Sequence, residues 1–226
     1  MPSFIYKKRF YGNFFIRKAI SLSVKITELF DDRKDRKICG CSLVKYVPSL
    51  YRESMGATGS HSTCYWTLDK VLKDAAFDSS DAFIDVGCGK GRVLAYMIGK
   101  GYSFSLTGVE LNADVAAYAQ NWAKQYDNVK IISGSAFDLD YNEYTVLYLG
   151  RPFEPETFYQ FIRKIEGELI HPIRLYYCYD QQSGDFLNDR EGWTMLNREK
   201  IFTSHGLFMF HNPQRYSIWI YTPHET

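Results

Sequence analysis

The chain has 226 residues, 46% of them hydrophobic, and a formal net charge of +1. That length fits one α/β domain with a short N-terminal extension, and that apolar content fills a substantial core, which excludes disorder of the whole chain. A charge balance near zero gives no overall field to attract a polyanion. The five cysteines (Cys39, Cys41, Cys64, Cys88 and Cys178) are odd in number, which argues against a disulfide framework and for a reducing compartment.

Residues 1–30 carry Lys7, Lys8, Arg9, Arg17, Lys18 and Lys25 before their only acid, Glu28. Ile16, Ile20 and Val24 recur at helical spacing, with Leu22, Ile26 and Leu29 beside them. Such a basic amphipathic helix either contacts a membrane surface, a nucleic acid or a partner, or packs its apolar side on the main domain and leaves its basic side solvated. The second is favoured, because basic faces are usually just solvated. No small-residue cleavage site follows, and no apolar run reaches the roughly 18 residues that span a bilayer. A cytoplasmic location, at most peripheral to a membrane, is expected. Asp31 to Lys37 is a run of mixed charge, and Gly56, Gly59 and Ser60 mark flexible backbone, so residues 31–60 read as linker and loop. The division is 1–55 as helical extension and linker and 56–226 as the main domain. A helix is expected over 63–76, with Tyr65, Leu68, Leu72 and Ala75 on one face.

From residue 82 the pattern alternates. Strands are expected at 82–86, 104–110, 129–133, 144–149 and 173–179, and helices at 91–99, 113–126 and 155–168. Such β-α-β-α order dictates a mostly parallel sheet with helices on both faces. Two β-rich runs, 201–210 and 216–221, flank His211-Asn212-Pro213-Gln214-Arg215 and read as an antiparallel hairpin at the sheet edge. The sum is a three-layer α/β sandwich around a seven-stranded sheet.

The informative stretch is Asp85-Val86-Gly87-Cys88-Gly89-Lys90-Gly91-Arg92, which leaves a strand and opens a helix. Glycines let the backbone turn tightly and approach a ligand, and a helix start offers free N–H groups. The dinucleotide fingerprint G-x-G-x-x-G fails at Arg92, which weakens the rival reading of a nicotinamide-dependent oxidoreductase. An acid two residues before G-x-G-x-G, with a second acid, Glu110, at the tip of the next strand, resembles the class I S-adenosylmethionine-dependent methyltransferases. It is most like small bacterial members of unassigned substrate, which share a loop of this type and a preceding segment like Gly56-Ala57-Thr58-Gly59.

That resemblance extends over about residues 56–222. It implies a Rossmann-like fold, methyl transfer, and S-adenosylmethionine held by Asp85, Gly87, Cys88, Gly89, Gly91, Glu110 and Leu111, with Ser135, Ala136 and Phe137 around the adenine. A carboxylate at the Glu110 position accepts ribose hydroxyls. Two departures stand out. Ser135 replaces the acid that many members place against the adenine amino group, so that contact falls to Asp138 or to backbone. After the fourth strand the chain reads Gly150-Arg151-Pro152-Phe153, with Arg151 where related members carry Asn. Arg151 suits an anionic acceptor, or a salt bridge to Glu154 or Glu156. Arg151 and Asp180 are the catalytic candidates, with Tyr148, Tyr179 and His171 as other possible bases, and Gln181 to Gly184 reads as a lid. The acceptor is unassigned, whether small molecule or macromolecule, and a non-catalytic scaffold on the same fold is the second rival. Cys39, Cys41, His61 and Cys64 could furnish a zinc set, but the C-x-C spacing is too tight, and no metal is expected. His205, His211 and His224 match no ligand motif.

Overall fold

The computed structural model describes residues 14–201, 203–204, 207–208, 210 and 213–223. In chain order the helices are α1 (Phe14–Cys39), α2 (Arg52–Met55), α3 (Tyr65–Leu72), α4 (Arg92–Gly99), α5 (Ala113–Ala123) and α6 (Pro155–Glu168). The strands are β1 (Ala82–Val86), β2 (Ser105–Glu110), β3 (Val129–Ser133), β4 (Val146–Leu149), β5 (Ile173–Cys178), β6 (Trp193–Ile201), the short pair β7 (Thr203–Ser204) and β8 (Leu207–Phe208), and β9 (Gln214–Tyr221). The main sheet has seven strands in the order β3-β2-β1-β4-β5-β9-β6. It is parallel from β3 to β5, and β9 runs antiparallel to both β5 and β6. The expected α/β sandwich, mostly parallel with an antiparallel hairpin at one edge, is the observed architecture.

Strand alternation builds the two cores. In β1, Phe83 faces one side of the sheet with Leu68, Leu94 and Trp122, while Ile84 and Val86 face the other with Phe158, Phe161 and Ile165. Each such side chain, fully buried, contributes roughly 1.5–3 kcal/mol. β1 lies between β2 and β4, so the chain winds away from it in both directions. A crevice opens at the carboxyl ends of strands at such a reversal, and Asp85 and Glu110 stand there.

Three expectations need correction. Asp31 to Lys37 is not linker but the last third of α1. Asp31 and Asp35, one turn apart, are buried against Arg92, and that pairing holds the run helical. The apolar residues of α1 also divide: Ile20 is buried and Val24 half-buried toward the domain, with Asp31 and Asp35, while Leu22, Ile26 and Leu29 are exposed. Third, the first hairpin strand starts at Trp193 rather than 201, and the described residues of 201–210 hold its last residue and the short β7–β8 pair. β6 is an edge strand whose burial is confined to Trp193 and Ile201 at its ends, so it lacks the apolar run that marks inner strands. His205, His211 and His224, like Lys7, Lys8 and Arg9, lie outside the described residues.

Candidate cofactor site

The backbone shapes the loop after β1. The N–H groups of Gly87 and Cys88 both donate to the Val109 carbonyl, at 2.9 and 2.9 Å, which ties the turn to β2. Gly87 sits at φ 72°, and a Cβ there would come 2.4 Å from the Cβ of Pro152. Gly91 caps α4 at φ 86°, and its missing side chain makes room for Trp122, whose ring carbon Cζ2 would stand 2.7 Å from a Cβ. Both positions require glycine, the first to keep the crevice open and the second to pack α5 against the loop. Gly91 therefore supports the loop from behind and is not among the lining residues.

The crevice holds about 880 Å³ of space free of protein atoms, part of it open to solvent. Asp85, Gly87, Cys88, Gly89, Glu110, Leu111, Ser135, Ala136 and Phe137, nine of the ten residues expected around the cofactor, all line this one crevice. Glu110 accepts from the Gly89 N–H through Oε2 and from the Asn112 N–H through Oε1, both at 2.9 Å. Each oxygen keeps lone-pair capacity, so a vicinal diol still finds two acceptors. Asp85 is buried, its Oδ2 has no hydrogen-bond partner, and burial, with the nearby Glu110 charge, pushes its carboxyl well above the usual carboxylate range. An unpaired buried carboxylate is costly unless a cation meets it. S-adenosylmethionine carries an ammonium and a sulfonium, and the charge pattern of the crevice fits it: Asp85 would meet its positive charge and Glu110 would accept from its ribose.

The adenine end departs from the expectation in detail. Ser135 Oγ accepts from the Phe137 N–H at 3.1 Å, so that amide is already used. Asp138 is not among the lining residues, and its N–H donates to the Ser135 carbonyl. What remains is the Ala136 N–H, which has no partner among the described residues, and an apolar wall of Phe137 and Phe153 with ring centroids 5.9 Å apart.

The opposite wall is a backbone ladder that the sequence did not disclose. Thr58 N–H donates to the Pro152 carbonyl at 2.8 Å, Glu154 N–H to Gly56 at 2.7 Å, and Thr58 Oγ1 to the Arg151 carbonyl at 2.8 Å. Arg151 sits at φ 56°, a left-handed conformation that Asn tolerates better than Arg. Its side chain does not line the crevice, and the expected bridge to Glu154 is absent: Glu154 pairs with Arg52 at 3.3 Å.

Asp180 does not reach the crevice either. It is fully buried under β9, where Arg215 Nε donates to Oδ1 at 2.6 Å and Ser217 Oγ to Oδ2 at 2.6 Å. It is a peg for the hairpin rather than a base. The segment read as a lid is two 3-10 turns, Asp180–Gln182 and Gly184–Leu187. Of the other candidates, His171 lies between the carbonyls of Pro172 and Asn142, away from the cleft. Tyr148 lines the cleft with a hydroxyl that has no hydrogen-bond partner among the described residues, but burial raises its pKa well above normal, so it is a neutral donor.

Two features escaped the sequence. Arg92, at the first turn of α4, forks onto Asp35 (Nη2–Oδ2 2.6 Å, Nε–Oδ1 3.1 Å) and reaches Asp31 at 3.5 Å, with all three side chains almost wholly buried. The other is a second chamber beneath α1, about 1070 Å³ with part of it open to solvent, walled by Val24, Val44, Trp66 and Phe210 and rimmed by Lys25, Thr27 and Glu28, which shares His61, Ser62 and Arg92 with the cofactor crevice. His61 was noticed only as a zinc ligand. Among the described residues no three His, Cys, Asp or Glu side chains converge on a metal position, and burial raises the thiols of Cys39 and Cys64 above their ordinary range.

No curated protein sequence matches the chain. Among solved structures, a methyltransferase from Pyrococcus furiosus aligns with 88% of this chain and 98% of its own at 13% identity and a TM-score of 0.62. An RNA methyltransferase from Salinibacter ruber in complex with S-adenosyl-L-homocysteine covers 73% of this chain and 95% of its own, at 20% identity and a TM-score of 0.50. A mutant of MtNAS in complex with S-adenosylmethionine covers 94% of this chain and 80% of its own, at 15% identity and a TM-score of 0.52. At these identities the likeness is one of fold. Residues 83–165 also match the family model described as a methyltransferase domain. That match runs from β1 through α6, the part of the chain holding the glycine loop and both acids, so this stretch is similar to a methyltransferase domain, and the fold around it is the Rossmann-like one of the solved methyltransferases.

Proposed function

We propose that the chain methylates a small, largely apolar acceptor bearing an amine or hydroxyl, lodged in the chamber beneath α1, and that His61 takes the proton it loses. When bound, S-adenosylmethionine supplies an electrophilic methyl carbon, which leaves the protein to align the acceptor and exclude water. The observation that carries this reading is the wall common to the two spaces: His61, Ser62 and Arg92 face both the cofactor crevice and the chamber, whose apolar side is Val24, Val44, Trp66 and Phe210. His61 is solvent-accessible yet crowded by protein. Desolvation and the charges of Arg92 and Arg151 hold its imidazole below the ordinary range, so near pH 7 it is neutral and carries a free lone pair. Arg92 is offset by Asp31 and Asp35 and presents no spare charge to an acceptor carboxylate. Arg151 lines neither space, so the anionic acceptor expected from it loses its support.

Calorimetry with the cofactor tests the first half: Glu110→Ala lowers affinity at least tenfold, about 1.4 kcal/mol, through lost charged hydrogen bonds. Transfer of labelled methyl to a panel of aromatic amines and phenols tests the second. Val44→Trp, which fills the chamber, removes turnover and leaves cofactor affinity intact. Turnover that survives Val44→Trp would put the acceptor elsewhere. His61→Ala lowers kcat by roughly 10²–10⁴ without changing cofactor affinity.

A further inference from the structure

The outward face of α1 is unusual for a helix packed on a domain. Leu22, Ile26, Leu29 and Phe30 fall at i, i+4, i+7 and i+8, a single stripe, and are 60%, 44%, 68% and 64% exposed. Singly exposed leucines are ordinary, but contiguous large apolar side chains mark a contact surface. The stripe is bordered by Lys18, Arg33 and Lys37, all exposed, and by Lys25, which is exposed at the rim of the chamber. The acids of the helix are turned or used elsewhere. Asp31 and Asp35 face inward to Arg92, Asp32 pairs with Arg36 at 2.8 Å, and Glu28 lines the chamber. The exposed face therefore combines apolar side chains with net positive charge.

That combination selects among occupants. A nucleic acid would answer the cations but gives no reason to expose Leu22, Ile26, Leu29 and Phe30. A second copy docking stripe to stripe would cover the apolar residues but oppose two rows of cations. A lipid surface with anionic headgroups satisfies both halves at once, since apolar side chains enter the acyl boundary while Lys and Arg stay at the headgroups. No helix among the described residues is long and apolar enough to cross a membrane, so the contact is interfacial. We propose that α1 is an in-plane membrane helix that seats this enzyme on an anionic lipid surface through Leu22, Ile26, Leu29 and Phe30, bordered by Lys18, Lys25, Arg33 and Lys37. The proposal is independent of which acceptor is methylated.

Co-sedimentation of the full chain with vesicles tests it, using phosphatidylcholine alone and phosphatidylcholine mixed with phosphatidylglycerol. The protein sediments with the anionic vesicles, and added salt releases it. Leu29→Glu combined with Phe30→Glu lowers vesicle affinity at least about tenfold, as does Arg33→Glu combined with Lys37→Glu. Cofactor affinity, measured by calorimetry on the same variants, stays at the parent value and shows that they are folded. Failure to sediment with anionic vesicles overturns the proposal, and so does vesicle binding that ignores both double variants. A dimer in sedimentation equilibrium that Leu29→Glu with Phe30→Glu dissociates would also overturn it, and would assign the stripe to a second copy.

Discussion

Asp85 bears two opposing demands. Its carboxyl is buried, one oxygen has no partner, and burial raises its pKa well above the ordinary value, so the charged form is paid for only when a cation arrives. An acid whose folded pKa is raised binds more protons in the native than in the unfolded state between the two values. Stability contributed by such a group falls as pH rises through that window. Asp31, pushed up to about 6 by burial against the pull of Arg92, acts in the same sense, so its own contribution to the stability of the cofactor-free protein falls between about pH 4 and 6. Asp85→Asn should raise the melting temperature of the cofactor-free protein by a few degrees at pH 7 and flatten its decline with pH. It should also weaken cofactor affinity at least tenfold, about 1.4 kcal/mol. A scanning calorimetric series from pH 4 to 7 and a binding titration check both halves. A variant less stable than its parent at pH 7 would show that Asp85 has an unrecognised partner. Asp85 and Glu110 were legible in the sequence because a strand end, a glycine rhythm and a second strand end fix their places without tertiary information. His61 was not, because its role depends on a chamber whose walls come from residues as distant in sequence as Val24 and Phe210.

At the level of elements, periodicity located nearly every helix and strand between β1 and β5, yet failed for α1 and β6. Part of the apolar repeat in α1, Ile20 and Val24, does face inward, but the second half of that face is held by the acids Asp31 and Asp35, whose partner Arg92 lies 57 residues from Asp35. No local pattern announces such a pairing. It also explains the failed dinucleotide fingerprint: the residue in the third glycine's place is an anchor for another helix. Arg92→Ala leaves Asp35 buried without its counter-ion and should cost about 3–5 kcal/mol, measured by denaturant unfolding. Adding Asp35→Asn should recover part of that loss, because the stranded charge goes with it. Additive losses in the double variant would mean that the two side chains do not act as a pair. Asp180 shows the same limit from the other side. Its position after β5 suggested catalysis, but Arg215 and Ser217, 35 and 37 residues later, claim it for the hairpin.

Over the whole molecule, strand order decides where chemistry happens. With β2 on one side of β1 and β4 on the other, the loops after these strands converge, and the glycine loop, Glu110 and the Gly150–Phe153 turn meet at one edge. This much followed from β-α alternation. What did not follow is that the opposite wall comes from residues 57–63, ahead of the first strand. Arg92 carries this further. Its guanidinium is satisfied almost entirely from α1, so the first helix is wired into the foundation of the glycine loop. The segment before residue 56 is accordingly not a detachable leader. A shortened chain beginning at residue 56 should collapse into an aggregation-prone species that binds no cofactor, which light scattering and calorimetry would check. By the same logic, transplanting the β1-to-α6 stretch onto another scaffold would carry over an orphaned cation unless two aspartates came with it.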